Sequence, residues 1–146
     1  HDEESGDLTC TLDIFEVSDK EMHFIYDSRI PISGTKENCE DVARKTVEEK
    51  GFLFETEGMV PPHYVSKDSD FIKALLSCYE KVTGEKGECL AIGGGTYVHH
   101  VENGVAFGAI LPGVDTHMHG EDEWIKVKDL LFAAEIYAES ILTLCR

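Results

Sequence analysis

The sequence predicts an α+β fold, and three observations carry that prediction. Near the N-terminus, two stretches alternate apolar and polar residues with the period of a β-strand, and Ser18-Asp19-Lys20 separates them as a turn. Three longer stretches repeat apolar residues at the spacing of an amphipathic helix. Between the last two of these, short apolar runs flank Gly93-Gly94-Gly95. An antiparallel sheet with a helix on one face accounts for the first half of this order.

The first half of the chain is expected to run strand, strand, helix, strand. The inward residues of the first two strands are expected to be Leu8, Cys10, Leu12 and Ile14, then Met22, Phe24 and Tyr26. Pro31 ends the second strand, because proline cannot donate a ladder hydrogen bond. A helix follows over 36–50, between Ser33-Gly34-Thr35 and Gly51, and a third strand over 52–56.

A boundary is expected at Pro61-Pro62, because two prolines stiffen a connection and cannot continue a sheet. The next helix is expected to be capped by Ser66, Asp68 or Ser69 and to end at Gly84. Short strands are expected over 90–92 and 105–111. The last helix, over 126–145, is expected to pack on a sheet through Val127, Leu130, Leu131, Ala134, Tyr137, Ala138, Ile141 and Cys145.

Composition narrows the possible partners and the compartment. The net charge of −16 makes nucleic acid and anionic membranes poor partners. No apolar run reaches the length of a membrane span, and no signal-peptide pattern opens the chain. The five cysteines show no zinc-ribbon or redox spacing, so we expect buried free thiols in a reducing cytoplasm. Because the first residue is His1, we expect either a processed N-terminus or a piece of a longer chain.

Two features suit the binding of a polar or anionic ligand. Gly93-Gly94-Gly95-Thr96 matches neither the P-loop nor the dinucleotide-binding spacing, so it predicts either a tight turn or a backbone cradle. Arg29 lies at the end of a predicted strand. An arginine there can hold a carboxylate through two parallel hydrogen bonds, although a surface ion pair is the alternative.

Histidines supply the candidate metal ligands. His117 and His119 are two residues apart, so an extended backbone would put both on one side, where they could share a metal ion. Zinc usually takes three or four protein ligands, so Glu121, Asp122 or Glu123 would have to supply the ones that the two histidines do not. A structural or surface loop is the alternative. The neighbouring pair His99-His100 is expected to lie on the surface.

Six motifs in order point to a known family. They are Asp-Ser-Arg-Ile-Pro (27–31), Pro-Pro-His-Tyr-Val (61–65), Ile-Gly-Gly-Gly-Thr-Tyr (92–97), Gly-Val-Ala-Phe-Gly (104–108), Met-His-Gly-Glu-Asp-Glu-Trp (118–124) and Ile-Tyr-Ala-Glu (136–139). Over essentially its whole length, the chain resembles the C-terminal part of PepV-like dipeptidases of the M20 zinc metallopeptidase family. The resemblance implies that residues 1–61 belong to a ferredoxin-like lid domain (β-β-α-β). Residues 62–146 would be the C-terminal segment of an α/β catalytic domain.

The resemblance also implies roles for single residues. His119 would be a metal ligand, whereas His117 would not, and Glu123 would be structural or would contact a metal ligand instead of the metal. Arg29 would hold the substrate's C-terminal carboxylate, and Gly95 would contact the substrate through its backbone, within a loop that includes Gly94 and Thr96. The family's two zinc ions take their other ligands from motifs that this sequence lacks. The general base is also expected upstream, so no catalytic residue is assigned here.

The sequence thus predicts a fragment that cannot hydrolyse peptides alone. The intact protein would be a cytoplasmic zinc dipeptidase that binds neither nucleic acid nor a membrane. Its substrate would be a dipeptide or an N-acyl amino acid, the latter in an M20-type deacylase. The fragment's partner would be the rest of its own catalytic domain. Two other readings remain: a non-catalytic α+β binding module, and a self-contained metalloenzyme that uses His117, His119 and nearby acids.

Overall fold

A computed structural model describes residues 1–108 and 110–145 of the chain. Its elements are β1 (Thr9–Val17), β2 (Met22–Arg29), α1 (Asp41–Glu48), α2 (Asp70–Thr83) and α3 (Val127–Leu144), with a π-helical turn at Lys36–Glu40 and a 3-10 turn at Tyr97–His100. The chain forms two compact units. One comprises His1–Tyr64 with Ala91–Thr96, and the other comprises Val65–Leu90 with Tyr97–Arg146. The expected α+β class is confirmed.

The expected hairpin is present, but its register contains an irregularity that the sequence did not reveal. β1 and β2 pair antiparallel, with Leu12 opposite Tyr26 and Phe15 opposite Phe24. The register shifts between Leu12 and Ile14, as at a β-bulge, which lets one strand carry an extra residue. The expectation that Ile14 shares a face with Leu12 is therefore wrong.

The shifted register gives the hairpin one aromatic face and one polar face. Phe15 stacks on Phe24 with ring centroids 5.0 Å apart, and Phe52 meets Phe24 edge-on at 5.4 Å. Side chains two residues apart on β2 share a face. Asp27 and Arg29 therefore both project from the face opposite to Phe24.

The helix expected over 36–50 is confirmed, whereas the third strand expected over 52–56 is wrong. Thr35 caps the helical stretch, and Gly51 follows it with a φ of 84°. The backbone N–H of Phe52 donates to the carbonyl of Val47 at 3.3 Å. The Arg44 guanidinium lies 4.6 Å from the Phe54 ring centroid. Residues 52–56 are therefore held by α1 rather than by a strand ladder, and the ferredoxin-like lid remains a prediction.

The second unit contains α2 and α3. Ser69 caps α2 by accepting a hydrogen bond from the Ile72 N–H at 3.3 Å, and Gly84 ends the helix with a φ of 72°. Both features match expectation. The strands expected over 90–92 and 105–111 are not present among the described residues, and position 109 lies outside them. Strands need a neighbour that supplies ladder hydrogen bonds, and no described segment supplies one here.

The face through which α3 packs is not the expected one. α3 packs against α2, and its buried residues are Ala133, Ile136 and Ser140. Lys81 of α2 forms an ion pair with Glu139 at 2.6 Å, so Glu139 lies on the side of α3 that meets α2. The stripe expected to be covered is exposed, with Leu131 at 65% and Ile141 at 61% of full exposure. α3 carries apolar residues on both faces, so periodicity did not reveal which face packs.

The expectation of buried cysteines is wrong for most positions. Cys78 is buried in α2 and Cys39 is half-buried, whereas Cys10, Cys89 and Cys145 are exposed. All five thiols are free. Among the residues of 1–108 and 110–145, no helix is long and apolar enough to cross a membrane.

Candidate functional site

Arg29 ends β2 on the polar face of the hairpin. Its Nη2 donates a hydrogen bond to a carboxylate oxygen of Asp27, which lies two residues earlier on the same face. The side chains of Arg29 and Asp27 are 51% and 41% exposed, so solvent and solutes reach both groups. The guanidinium is therefore charge-paired but accessible, and its remaining N–H groups can donate hydrogen bonds to a second anionic partner.

The glycine loop (Ala91–Thr96) belongs to the same compact unit as Arg29. A Cβ built on Gly93 would lie 3.3 Å from the Arg29 Cγ and 3.4 Å from its Cβ. The stem of Arg29 thus lies close to the backbone of Gly93, where a larger residue would crowd it. The structure brings together two features that the sequence predicted separately, the strand-end arginine and the row of glycines.

Gly94 and Gly95 differ from Gly93 in their surroundings. A Cβ built on either would meet no atom within 4 Å, and neither residue has a positive φ. Neither sterics nor backbone conformation within the described part of the chain therefore requires glycine at these positions. Thr96 is half-buried at the end of the loop, just before the 3-10 turn.

The candidate metal ligand lies in a turn that local hydrogen bonds close. The Trp124 N–H donates to the carbonyl of Thr116 at 3.0 Å, and the Gly120 N–H donates to the carbonyl of His117 at 2.7 Å. Thr116 is buried, with 5% of its surface exposed. We call residues 115–124 the histidine turn.

Both histidines of the turn have a left-handed backbone, with φ of 53° at His117 and 66° at His119. Residues other than glycine rarely adopt this conformation, which costs of order 1 kcal/mol or more per residue. A Cβ on Gly120 would lie 2.8 Å from the carbonyl oxygen of His117, so the turn requires glycine there. The expected extended backbone, with both histidines on one side, is therefore not what forms.

Local contacts engage His117 and leave His119 accessible. The His117 backbone N–H donates to a carboxylate oxygen of Asp115 at 2.9 Å, and its ring meets Trp124 edge-on at a centroid distance of 6.5 Å. The exposed His119 makes no side-chain hydrogen bond, ion pair or ring contact with any residue in 1–108 or 110–145. Its imidazole nitrogens are therefore available to a ligand.

The described residues do not by themselves fit a zinc site. Within 1–108 and 110–145, no group of three or more His, Cys, Asp and Glu side chains is arranged to hold a metal ion. Glu121, Asp122 and Glu123 are exposed. A tetrahedral zinc site needs three or four protein ligands, and His119 offers one.

Asp27, Gly120 and Trp124 are residues of these sites to which the sequence analysis gave no role. Asp27 had a detectable signal, because residues two apart on a strand share a face and it carries the charge opposite to that of Arg29. Gly120 and Trp124 had none, because the turn depends on left-handed conformations that the sequence did not indicate.

Comparison with known proteins decides the family. Residues 1–143 match the profile described as "Peptidase family M20/M25/M40". The chain belongs to this M20 peptidase family. Curated relatives include a protein of Staphylococcus epidermidis (strain ATCC 12228) named "Putative dipeptidase", which is 37% identical over 147 residues. Similarly named proteins of Staphylococcus haemolyticus (strain JCSC1435) and Staphylococcus aureus (strain USA300) are 34% and 32% identical over 146 residues.

The alignments with these M20 relatives cover 99% of this chain. They cover only 31% of the length of each relative. This chain therefore spans just under a third of the length of the relatives that it matches.

Proposed function

We propose that this chain is the C-terminal part of a zinc-dependent dipeptidase of the M20 family and supplies the grip on the substrate's free carboxylate. The observation that carries this proposal is the contact between Arg29 and the glycine loop, since the stem of Arg29 lies against Gly93. An accessible guanidinium thus belongs to the same compact unit as Gly94 and Gly95, where a Cβ would meet no atom of the described residues within 4 Å.

The chemistry of these groups matches one end of a dipeptide. A guanidinium binds a carboxylate through two parallel N–H donors, and such charge-assisted hydrogen bonds are about twice as strong as neutral ones. The open backbone of Gly94 and Gly95 lets a peptide-like ligand approach closely enough to form main-chain hydrogen bonds. Arg29, Gly94, Gly95 and Thr96 are therefore the proposed substrate-binding residues.

His119 is the proposed metal ligand of this chain, and it would supply one ligand to a site completed by other parts of the intact protein. One feature supports the choice of His119 over His117. The exposed His119 has no side-chain partner in the described residues, whereas His117 already contacts Trp124. Both histidines have the left-handed backbone that is typical of strained residues at functional sites.

In this proposal the chain binds the substrate, and other parts of the intact protein complete the catalytic site. Residues 1–61 would belong to a ferredoxin-like lid and residues 62–146 to the catalytic domain, with two zinc ions and the general base held in the intact protein. The chain alone would bind carboxylates without hydrolysing peptides, since the described residues offer no complete metal site. Five free thiols support a reducing, cytoplasmic location.

Hydrolysis of a dipeptide by the intact protein, with zinc present, tests the proposal. Arg29→Ala should raise KM at least tenfold for a dipeptide, because a charge-assisted hydrogen bond is worth about 1.5 to 3 kcal/mol. The same substitution should change KM little for the C-terminally amidated dipeptide, which has no carboxylate to hold. An equal rise in KM for both substrates would contradict the proposed contact between Arg29 and the substrate carboxylate.

Substitution of the two histidines tests the ligand assignment. His119→Ala should lower kcat/KM by about a hundredfold or more, since even outer-shell partners of metal ligands cost 10- to 100-fold. His117→Ala is the matched control in the same turn and should retain bound zinc. Equal zinc loss in both variants would contradict the assignment. Hydrolysis of N-acyl amino acids in preference to dipeptides would instead identify a deacylase.

A further inference from the structure

We infer that Asp27 is a positioning residue for Arg29 and fixes the direction in which the guanidinium meets a substrate carboxylate. This inference rests on the proposed function, because it assumes that Arg29 holds the free carboxylate of the substrate. Asp27 touches Arg29 rather than any reacting atom, so its effect acts through the arginine. None of the six motifs identified a role for it.

The hairpin register puts the two side chains side by side. In the antiparallel ladder, Asp27 is opposite Thr11 and Arg29 is opposite Thr9, so all four residues share the polar face. Threonine side chains are short and leave the pair exposed to solvent. The Arg29 Nη2 donates to an Oδ2 that belongs to the same strand. Since β2 is a regular strand, the backbone fixes the spacing of the two groups.

A second contact restrains the same side chain at its other end. A Cβ on Gly93 would lie 3.3 Å, 3.4 Å and 3.8 Å from the Cγ, Cβ and Cδ of Arg29. Gly93 thus borders the aliphatic stem, while Asp27 holds the charged head. A stem limited on one side and a head tied to a carboxylate leave the arginine few rotamers. The direction of its remaining N–H donors follows from these two restraints.

Restraining an arginine in advance favours binding. A free arginine side chain has large rotamer entropy, which it loses when it closes on a ligand. If Asp27 and Gly93 have already removed that freedom, less is lost on binding and the affinity is higher. Asp27 occupies one donor of the guanidinium, which leaves the others for the substrate.

Two other roles of Asp27 predict different results. As a competitor, it would hold Arg29 away from the substrate, so its removal would lower KM. As an ordinary surface ion pair, its removal would leave KM unchanged, because exposed pairs often contribute nothing measurable. As a positioning residue, its removal raises KM, and does so only for substrates that carry the carboxylate.

The test measures hydrolysis by the intact protein with a dipeptide and with its C-terminal amide. Asp27→Asn keeps the size of the side chain and removes the charge. Glu16→Gln is the matched control, because Glu16 lies on the same polar face and approaches His23 at 3.8 Å instead of Arg29. We expect Asp27→Asn to raise KM for the dipeptide about fivefold, the upper range for an exposed charge pair, with kcat changed less.

Gly93→Ala provides an independent variant, because the added Cβ would displace the stem of Arg29. It should raise KM for the dipeptide and leave KM for the amide nearly unchanged, as Asp27→Asn does. Thermal unfolding of each variant checks that the hairpin is intact, and Asp27→Glu should recover part of the lost affinity.

Three outcomes would overturn the inference. The first is a KM of Asp27→Asn for the dipeptide that equals that of the Glu16→Gln control. The second is a KM of Asp27→Asn below that of the unsubstituted protein. The third is a rise in KM for the amide equal to the rise for the dipeptide. Each leaves the proposed function in place if Arg29→Ala still separates the dipeptide from the amide. No hydrolysis by the unsubstituted intact protein would instead refute the proposed function.

Discussion

The glycine loop and the histidine turn both depend on small residues, but they do so for opposite reasons. In the histidine turn, Gly120 is required by the chain itself, because a Cβ there would lie 2.8 Å from the His117 carbonyl oxygen. In the glycine loop, a Cβ on Gly94 or Gly95 would meet no atom of the described residues within 4 Å. The fold explains the glycine of the turn, whereas only the proposed contact with a substrate gives a reason for the other two.

The two regions also differ in how they hold their functional side chain. The histidine turn closes on itself through the Trp124-to-Thr116 hydrogen bond, and none of the described residues contacts the imidazole of His119. Arg29 lies against the glycine loop and is restrained by Asp27 and Gly93. Substitutions that open the turn should therefore change stability and function together. Substitutions at Gly94 and Gly95 should change function alone.

The largest effect is expected from Gly120→Ala. The added methyl group cannot coexist with the His117 carbonyl, so the turn must open at a cost of about 1 to 3 kcal/mol in the free energy of unfolding. Trp124 is the only tryptophan of the chain, and its backbone N–H donates the hydrogen bond that closes the turn. Because opening the turn exposes Trp124 to more water, its fluorescence emission should shift to longer wavelength. Unchanged emission and stability would remove the distinction between the two regions.

A smaller effect is expected from Gly95→Ala, the counterpart in the glycine loop. The methyl group has space, so the unfolding transition should be unchanged. The variant should nevertheless raise KM for a dipeptide about tenfold in the intact protein, because one backbone hydrogen bond to the substrate is worth about 1 kcal/mol or slightly more. Loss of stability, or a KM equal to that of the unsubstituted protein, would contradict this assignment.

Within the turn, the smallest effect on stability is expected from His119→Asn. Asparagine tolerates the left-handed conformation better than most residues, and the described residues make no contact with the imidazole that would be lost. The free energy of unfolding should stay equal or rise by about 0.5 kcal/mol, while zinc-dependent activity of the intact protein should fall. A clear loss of stability would indicate a structural role for His119.

Features that depend on neighbouring residues were predictable from the sequence. Ser69 caps α2 and Gly84 ends it, because both act within one helical turn. The hairpin and the helix after Thr35 were predictable for the same reason. The family motifs led to Arg29, the glycines and His119 as candidates, although the contact between Arg29 and Gly93 was not foreseen.

Features for which two local arrangements compete were not predictable from the sequence. Residues 52–56 alternate apolar and polar residues like a strand. The Phe52 N–H nevertheless donates to the Val47 carbonyl, and the Arg44 guanidinium lies over the Phe54 ring. In α3, two apolar faces compete, and the one bearing Ala133 and Ile136 is buried. The left-handed histidines also went unforeseen, because no local signal distinguishes them from extended residues.

The register shift between Leu12 and Ile14 has a consequence for how this strand tolerates length changes. Asp13 is the residue that the ladder skips, so its removal would leave Leu12 opposite Tyr26 and Phe15 opposite Phe24 in a regular ladder. Removal of a residue elsewhere in β1 would instead turn the side chains on one side of the deletion to the other face of the hairpin. In an alignment of related hairpins, a gap at Asp13 is therefore a smaller change than a gap at a paired position of the same strand.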